Sequence, residues 1–130
     1  MPDQSQLIIE DRERMNLLGL MLGGVIARNL AHPEVAALAR KLSGSLAVTA
    51  GKMTITLRFD RGPVTVIRGA ADRPRARIKG SLDGLLQVSL GRGPIRSFLA
   101  GELSFKGSPF FALKTLPLMR VRAEAPGGDR

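Results

Sequence analysis

Between residues 11 and 30 apolar side chains return every three or four positions: Leu18, Leu22, Val25, Ile26 and Leu30. That spacing puts one stripe on one face and predicts an amphipathic helix from about Asp11 to Asn29. Pro33-Glu34 then opens a second helix at its first turn, with His32 as the cap and Val35, Leu38 and Leu42 as the inward stripe. The period next changes to two. Leu46, Val48 and Ala50, then Met53, Ile55, Leu57 and Phe59, alternate with polar residues, and Gly51-Lys52 stands between the runs as a hairpin turn. Gly62-Pro63 makes the following turn, Val64 to Arg68 a third strand and Arg75 to Lys79 a fourth.

Helical spacing resumes at Ser81, which caps a segment carrying Leu82, Leu85, Leu86 and Leu90 and ending at Gly91-Arg92-Gly93. Pro94 starts a short helix with Ile95, Phe98 and Leu99 on one side, and Glu102 to Lys106 forms a fifth strand. Ser108-Pro109 reads as N-cap and first residue of a last helix bearing Phe110, Phe111, Leu113 and Leu116. Pro117 is expected to end or kink it, leaving Leu118 and Met119 as an apolar extension and the helix loosely held. These elements compose an α+β domain: a five-stranded, mainly antiparallel sheet covered on one face by helices. Residues 1–10 read as a flexible lead-in, 11–122 as a single domain and 123–130, with Pro126, Gly127 and Gly128, as a disordered tail.

Charge alters this picture. The net charge is +9, and residues 40–122 hold sixteen Lys and Arg against Asp60, Asp72, Asp83 and Glu102. A body of that sign attracts nucleic acid, anionic membrane surfaces or acidic small molecules, or simply stays soluble. Six basic residues (Arg58, Arg68, Arg75, Arg77, Lys79 and Lys106) are expected to point outward as one patch opposite the helices, available for membrane or anion contact. The longest apolar run, Leu17 to Ala27, is eleven residues and contains three glycines. A spanning helix needs about 20, and the acidic residues before the run make it a poor signal peptide, so a cytoplasmic location is expected.

The sequence carries no signature of reactive chemistry. With no cysteine and one histidine, thiolate sites are excluded and no metal-ligand cluster has suitable spacing. Gly44 and Gly51-Lys52 are too far apart for a phosphate loop, and Met53 replaces its hydroxyl residue. Gly91-x-Gly93 follows a helix and meets Arg96 where a third glycine is needed, which excludes a dinucleotide fingerprint. No serine stands in a nucleophile elbow, and His32 is better used as a cap than in a triad. Neither catalytic residues nor a cofactor is therefore expected. Nucleic acid is disfavoured as well, because four of the five phenylalanines take inward or helix-core positions and offer no stacking platform.

The segment from Asp72 onward adds a family resemblance. Arg75-Ala-Arg-Ile-Lys-Gly80, Ser81-Leu-Asp-Gly-Leu-Leu86, Gly91 and Phe98-Leu-Ala-Gly-Glu-Leu-Ser-Phe-Lys-Gly107, followed by a closing helix, resemble the sterol carrier protein 2 (SCP2) domain family over residues 30–120. Glu102 stands where the family often has lysine, and Ser108 where Asp or Asn is usual. The resemblance implies a non-enzymatic protein that holds a lipid or fatty-acyl ligand in an apolar tunnel between sheet and helices.

The helices carry a matching apolar set: Leu82, Leu85, Leu86, Phe98, Leu99, Phe110, Phe111, Leu113, Leu116 and Met119. Core packing accounts for any one of them as well as ligand contact does. Phe110, Phe111 and Met119 are the preferred lining, with the last helix as a gate. Three functional classes stay open: lipid binding or transfer; presentation of a hydrophobic intermediate, such as an isoprenoid quinone precursor, to lipid or quinone biosynthetic enzymes; and a basic adaptor for nucleic acid or membrane surfaces.

Overall fold

The computed structural model describes residues 6–71, 73–81, 83 and 103–120. Both helices expected between Ser81 and Leu99 fall almost wholly outside them. Among the described residues six strands form one mixed sheet under three helices. In chain order these are β1 (Leu7–Ile9), α1 (Leu17–Leu30), α2 (Pro33–Ala39), β2 (Ser43–Ala50), β3 (Met53–Asp60), β4 (Val64–Arg68), β5 (Ala76–Gly80), β6 (Leu103–Gly107) and α3 (Pro109–Met119). The strand order is β1-β4-β3-β2-β5-β6.

The expected class therefore holds with one strand more. Leu7–Ile9, inside the segment read as a lead-in, pairs parallel with β4, Leu7 opposite Val64 and Ile9 opposite Val66. Three residues are too few to show an alternation. What fixes the strand is tertiary: Ile9 and Leu7 rest against Gly23 of α1, where an added Cβ would meet Ile9 Cδ1 at 3.0 Å. The helix approaches β1 this closely because it has no side chain there.

α1 begins at Leu17 and not near Asp11. Arg12–Arg14 form a single 3-10 turn, Met15 is extended, and Asn16 caps the helix by accepting from the Gly19 amide at 2.9 Å. Leu18, Leu22, Ile26 and Leu30 face the sheet, as the spacing requires. In α2 Pro33 is the first residue and His32 caps through its backbone carbonyl alone, accepting from Val35 and Ala36 at 3.0 Å. Leu38, expected inward, is exposed, and Ala36 and Ala39 take the buried side with Val35.

The hairpin β2–β3 keeps full register from Ser43 opposite Asp60 to Ala50 opposite Met53, turning at Gly51 with φ +61°. β5 lies parallel to β2, Leu46 opposite Ala76, and β6 runs antiparallel to β5. Alternation then sends Leu46, Val48, Ile55, Leu57, Phe59, Val64, Val66, Ala76 and Ile78 to the helix side, where all are buried. The connection from β4 to β5 crosses the opposite face. The Thr56 hydroxyl donates to the Gly69 carbonyl and accepts from the Ala71 amide, both at 2.8 Å, so Thr56 is buried on the side that would otherwise be open.

Candidate functional site

α3 is the element on which the sequence concentrates candidate residues, and both of its ends are fixed. Ser108 caps its start by accepting from the Phe111 amide at 3.2 Å, while the Ser108 amide donates to the Arg75 carbonyl at 2.9 Å. Gly107, at φ +93°, makes this junction possible: a Cβ there would lie 2.5 Å from the Arg75 carbonyl oxygen and 2.8 Å from Ala76 Cα. At the other end Asn29 of α1, 2% exposed, donates from Nδ2 to the carbonyls of Leu118 and Arg120, each at 2.7 Å.

Pro117 does not end the helix. α3 runs through it to Met119 and closes with the Arg120 amide donating to the Leu116 carbonyl at 3.1 Å. Proline removes only the donor that would have reached Leu113, and the Asn29 amide holds the turn beyond it. The loosely held extension expected from the sequence is thus a tethered helical turn.

The five candidates on α3 divide between two faces. Phe111 and Met119 are buried in the core, and Leu116 packs partly buried against it. The Phe111 ring meets Phe59 edge-on, centroids 5.8 Å apart and planes at 79°, and the Arg75 guanidinium lies 4.6 Å from its centroid on another side. Phe110 and Leu113 turn away from the core, 75% and 55% exposed. The remaining candidates, Leu82, Leu85, Leu86, Phe98 and Leu99, lie outside the described residues.

The six basic residues are not one patch. Arg58, Arg77, Lys79 and Lys106 share the outer face, with Arg77 directly opposite Lys106 across β5 and β6. Like charges so placed repel, and among the described residues no ion pair joins any of the four to a carboxylate. Arg68 is on the helix side, because it has the parity of Val64 and Val66 and pairs with Ile55; its Nη1 donates to the Arg14 carbonyl at 3.1 Å. Arg75 precedes β5, so strand alternation does not govern it. Its side chain folds against Gly44 onto Phe111 and donates from Nη1 to the Ser43 carbonyl at 2.9 Å.

The sequence reading gives no role to Asn29, and none to Gly44 or Gly107 in seating Arg75. Asn29 had a visible signal, since it falls seven residues after Leu22 on the buried stripe, where an amide needs partners. Gly44 and Gly107 had none, because each is required by one distant residue, Arg75. Among the described residues no group of three His, Cys, Asp or Glu is placed to hold a metal ion, and no helix is long and apolar enough to cross a membrane.

A model of the SCP-2 sterol transfer family matches residues 25–120. No curated protein matches the chain. Among solved structures, the fold is similar to a protein described as UbiJ-SCP2, a ubiquinone synthesis protein (18% identity, TM-score 0.62, covering 82% of this chain and 93% of that one). It is also similar to sterol carrier protein domain 2 of Helicoverpa armigera (15% identity, TM-score 0.64, 88% and 96%). A third is palmitated SCP2L2 from Aedes aegypti (15% identity, TM-score 0.60, 84% and 100%).

Proposed function

Because the chain belongs to the SCP-2 sterol transfer family, we propose that it binds a lipid or fatty-acyl ligand in an apolar tunnel between sheet and helices and carries it without reacting with it. The family match over residues 25–120 is the observation that carries this reading. The helix side of the sheet agrees with it: from Leu46 to Ile78 the buried inward strand residues are aliphatic or aromatic, and Arg68, which shares that side, stands exposed at the end of β4. The palmitated relative from Aedes aegypti lends support for an acyl chain as the ligand. Leu116 and Met119 on α3 are proposed to join Leu82, Leu85, Leu86, Phe98 and Leu99 in the lining.

Burial of apolar surface supplies the affinity. At about 0.8 kcal/mol per CH2, an acyl chain of about sixteen carbons gains on the order of 10 kcal/mol gross, reduced by the cost of ordering chain and protein. Such binding needs no charged group in the tunnel. It is tested by displacement of a fluorescent fatty-acid probe, with half-displacement expected at micromolar ligand or below. A protein that binds no probe and co-purifies with no lipid in native mass spectrometry overturns the reading.

A second reading is favoured by one observation, the similarity to a protein described as acting in ubiquinone synthesis. In it the ligand is an isoprenoid quinone precursor, presented to biosynthetic enzymes. Native mass spectrometry of protein from its own host separates the two: a bound precursor together with a partner enzyme supports the second, a mixture of acyl lipids without a partner the first.

A further inference from the structure

The exposed side of α3 is unusual for a surface helix, which ordinarily turns polar residues outward. Phe110, Leu113, Lys114 and Pro117 follow one another at three- and four-residue spacing on the side away from Phe111, Thr115 and Leu118. Phe110 and Leu113 are the two most apolar side chains of that side and are largely in water. Charge frames them. From Leu103 to Arg120 the chain has Lys106, Lys114 and Arg120 and no carboxylate. Lys106 is exposed at the end of β6, beside Arg77 of β5, and Lys114 is exposed one turn after Phe110. A partner for this corner needs an anionic surface with an apolar layer beneath it.

We propose that the end of β6 and the first two turns of α3 form a membrane-docking wedge, in which Phe110 and Leu113 enter the interfacial layer of an anionic bilayer while Lys106 and Lys114 contact lipid headgroups. Apolar insertion and electrostatic attraction then act together, as in amphipathic interfacial helices. The surface takes the edge of the outer sheet face at Lys106 and adds to it, on α3, exposed apolar side chains able to insert. It is also fixed before docking, because Ser108, Arg75 and Asn29 tie both ends of α3 to the body. The wedge gives the carrier reading a place of lipid exchange and rests on that reading for its purpose, but docking itself is measured without cargo.

The chain has no tryptophan and no tyrosine, so Phe110→Trp introduces a sole fluorophore at the tip of the wedge. With phosphatidylglycerol vesicles at low salt its emission is expected to shift to the blue and to be quenched by brominated acyl chains. The same label at exposed Leu38 of α2 is expected to stay unchanged. Phe110→Asp and Leu113→Asp should each lower co-sedimentation with these vesicles by about tenfold or more, the loss of one buried apolar side chain. Glycerol phosphate alone should give no shift, which separates a bilayer from a free anion. Lys114→Glu, at an exposed residue outside every candidate lining position, should also weaken co-sedimentation while its probe displacement matches wild type, so a failed wedge and a failed carrier give different results. The proposal is overturned if the tryptophan at 110 keeps its emission on vesicles that co-sediment the protein, if neutral phosphatidylcholine serves equally, or if duplex DNA is bound and vesicles are not.

Discussion

Replacing Asn29 with alanine removes two hydrogen bonds at once. Its amide is 2% exposed and donates to the carbonyls of Leu118 and Arg120 at 2.7 Å each. A typical hydrogen bond contributes about 0.5–1.5 kcal/mol net, and a buried acceptor left unpaired costs about 1–3 kcal/mol. The Arg120 carbonyl, at an exposed residue, is the one that water can recover, so the Leu118 carbonyl carries most of the loss. With the small cavity left by the side chain, Asn29→Ala should cost about 2–4 kcal/mol, which is on the order of 10 °C in Tm for a chain of this size. Asn29→Asp has nearly the same volume but turns acceptor oxygens toward two carbonyls, and at neutral pH it should be the worse of the two. Urea denaturation at constant m-value measures both, and hydrogen exchange at the last turn of α3 reports whether the loss is local. A loss below about 1 kcal/mol for Asn29→Ala, or an Asn29→Asp protein as stable as wild type, would refute the role given to this amide.

Phe111→Ala should cost about 3–5 kcal/mol by denaturation, as for other packed aromatic truncations, whereas Arg75→Ala should cost about 0.5–1 kcal/mol, the cation–π share at an exposed guanidinium. Two glycines should respond oppositely to alanine. Gly107→Ala forces a Cβ into the Arg75 carbonyl at φ +93° and should destabilise by more than about 1 kcal/mol, while Gly24→Ala, in mid-helix with nothing within 4 Å, should raise stability by about 0.5–1 kcal/mol.

The class of fold was readable because its signals are local and repeated. The stripe Leu18, Leu22, Ile26, Leu30 and the alternation from Leu46 to Phe59 each repeat over several turns or residues, and each emerged with the expected face buried. The signals at Ser108-Pro109 and Gly51-Lys52 are short but carry their own geometry, and both turned out where they were read. What escaped depends on distant partners. β1 exists because Val64 to Val66 and Gly23 accept it, and α3 passes Pro117 because Asn29, far away in sequence, holds the turn beyond. Arg68 is a different case: the parity of Val64 and Val66 already assigned it to the helix side, and grouping it with the other arginines by charge overrode a rule the strand itself supplied. Among the site candidates, helical spacing found α3 but did not divide its apolar residues, since Phe110 and Phe111 are adjacent and only packing decides which enters the core.

The parallel pairing of β1 with β4 orders events during synthesis. Leu7 leaves the ribosome first, yet its partner Val64 follows fifty-seven residues later, a delay on the order of several seconds at ordinary elongation rates. Until β2 and β3 have followed, the apolar run of α1 has no inner sheet face to cover it. The meander β2-β3-β4 closes through short turns and can form as soon as it emerges, and it then provides the surface on which the older segments settle. The N-terminal strand is therefore docked late, since a partly made chain ending before Val64 still lacks the strand with which β1 pairs.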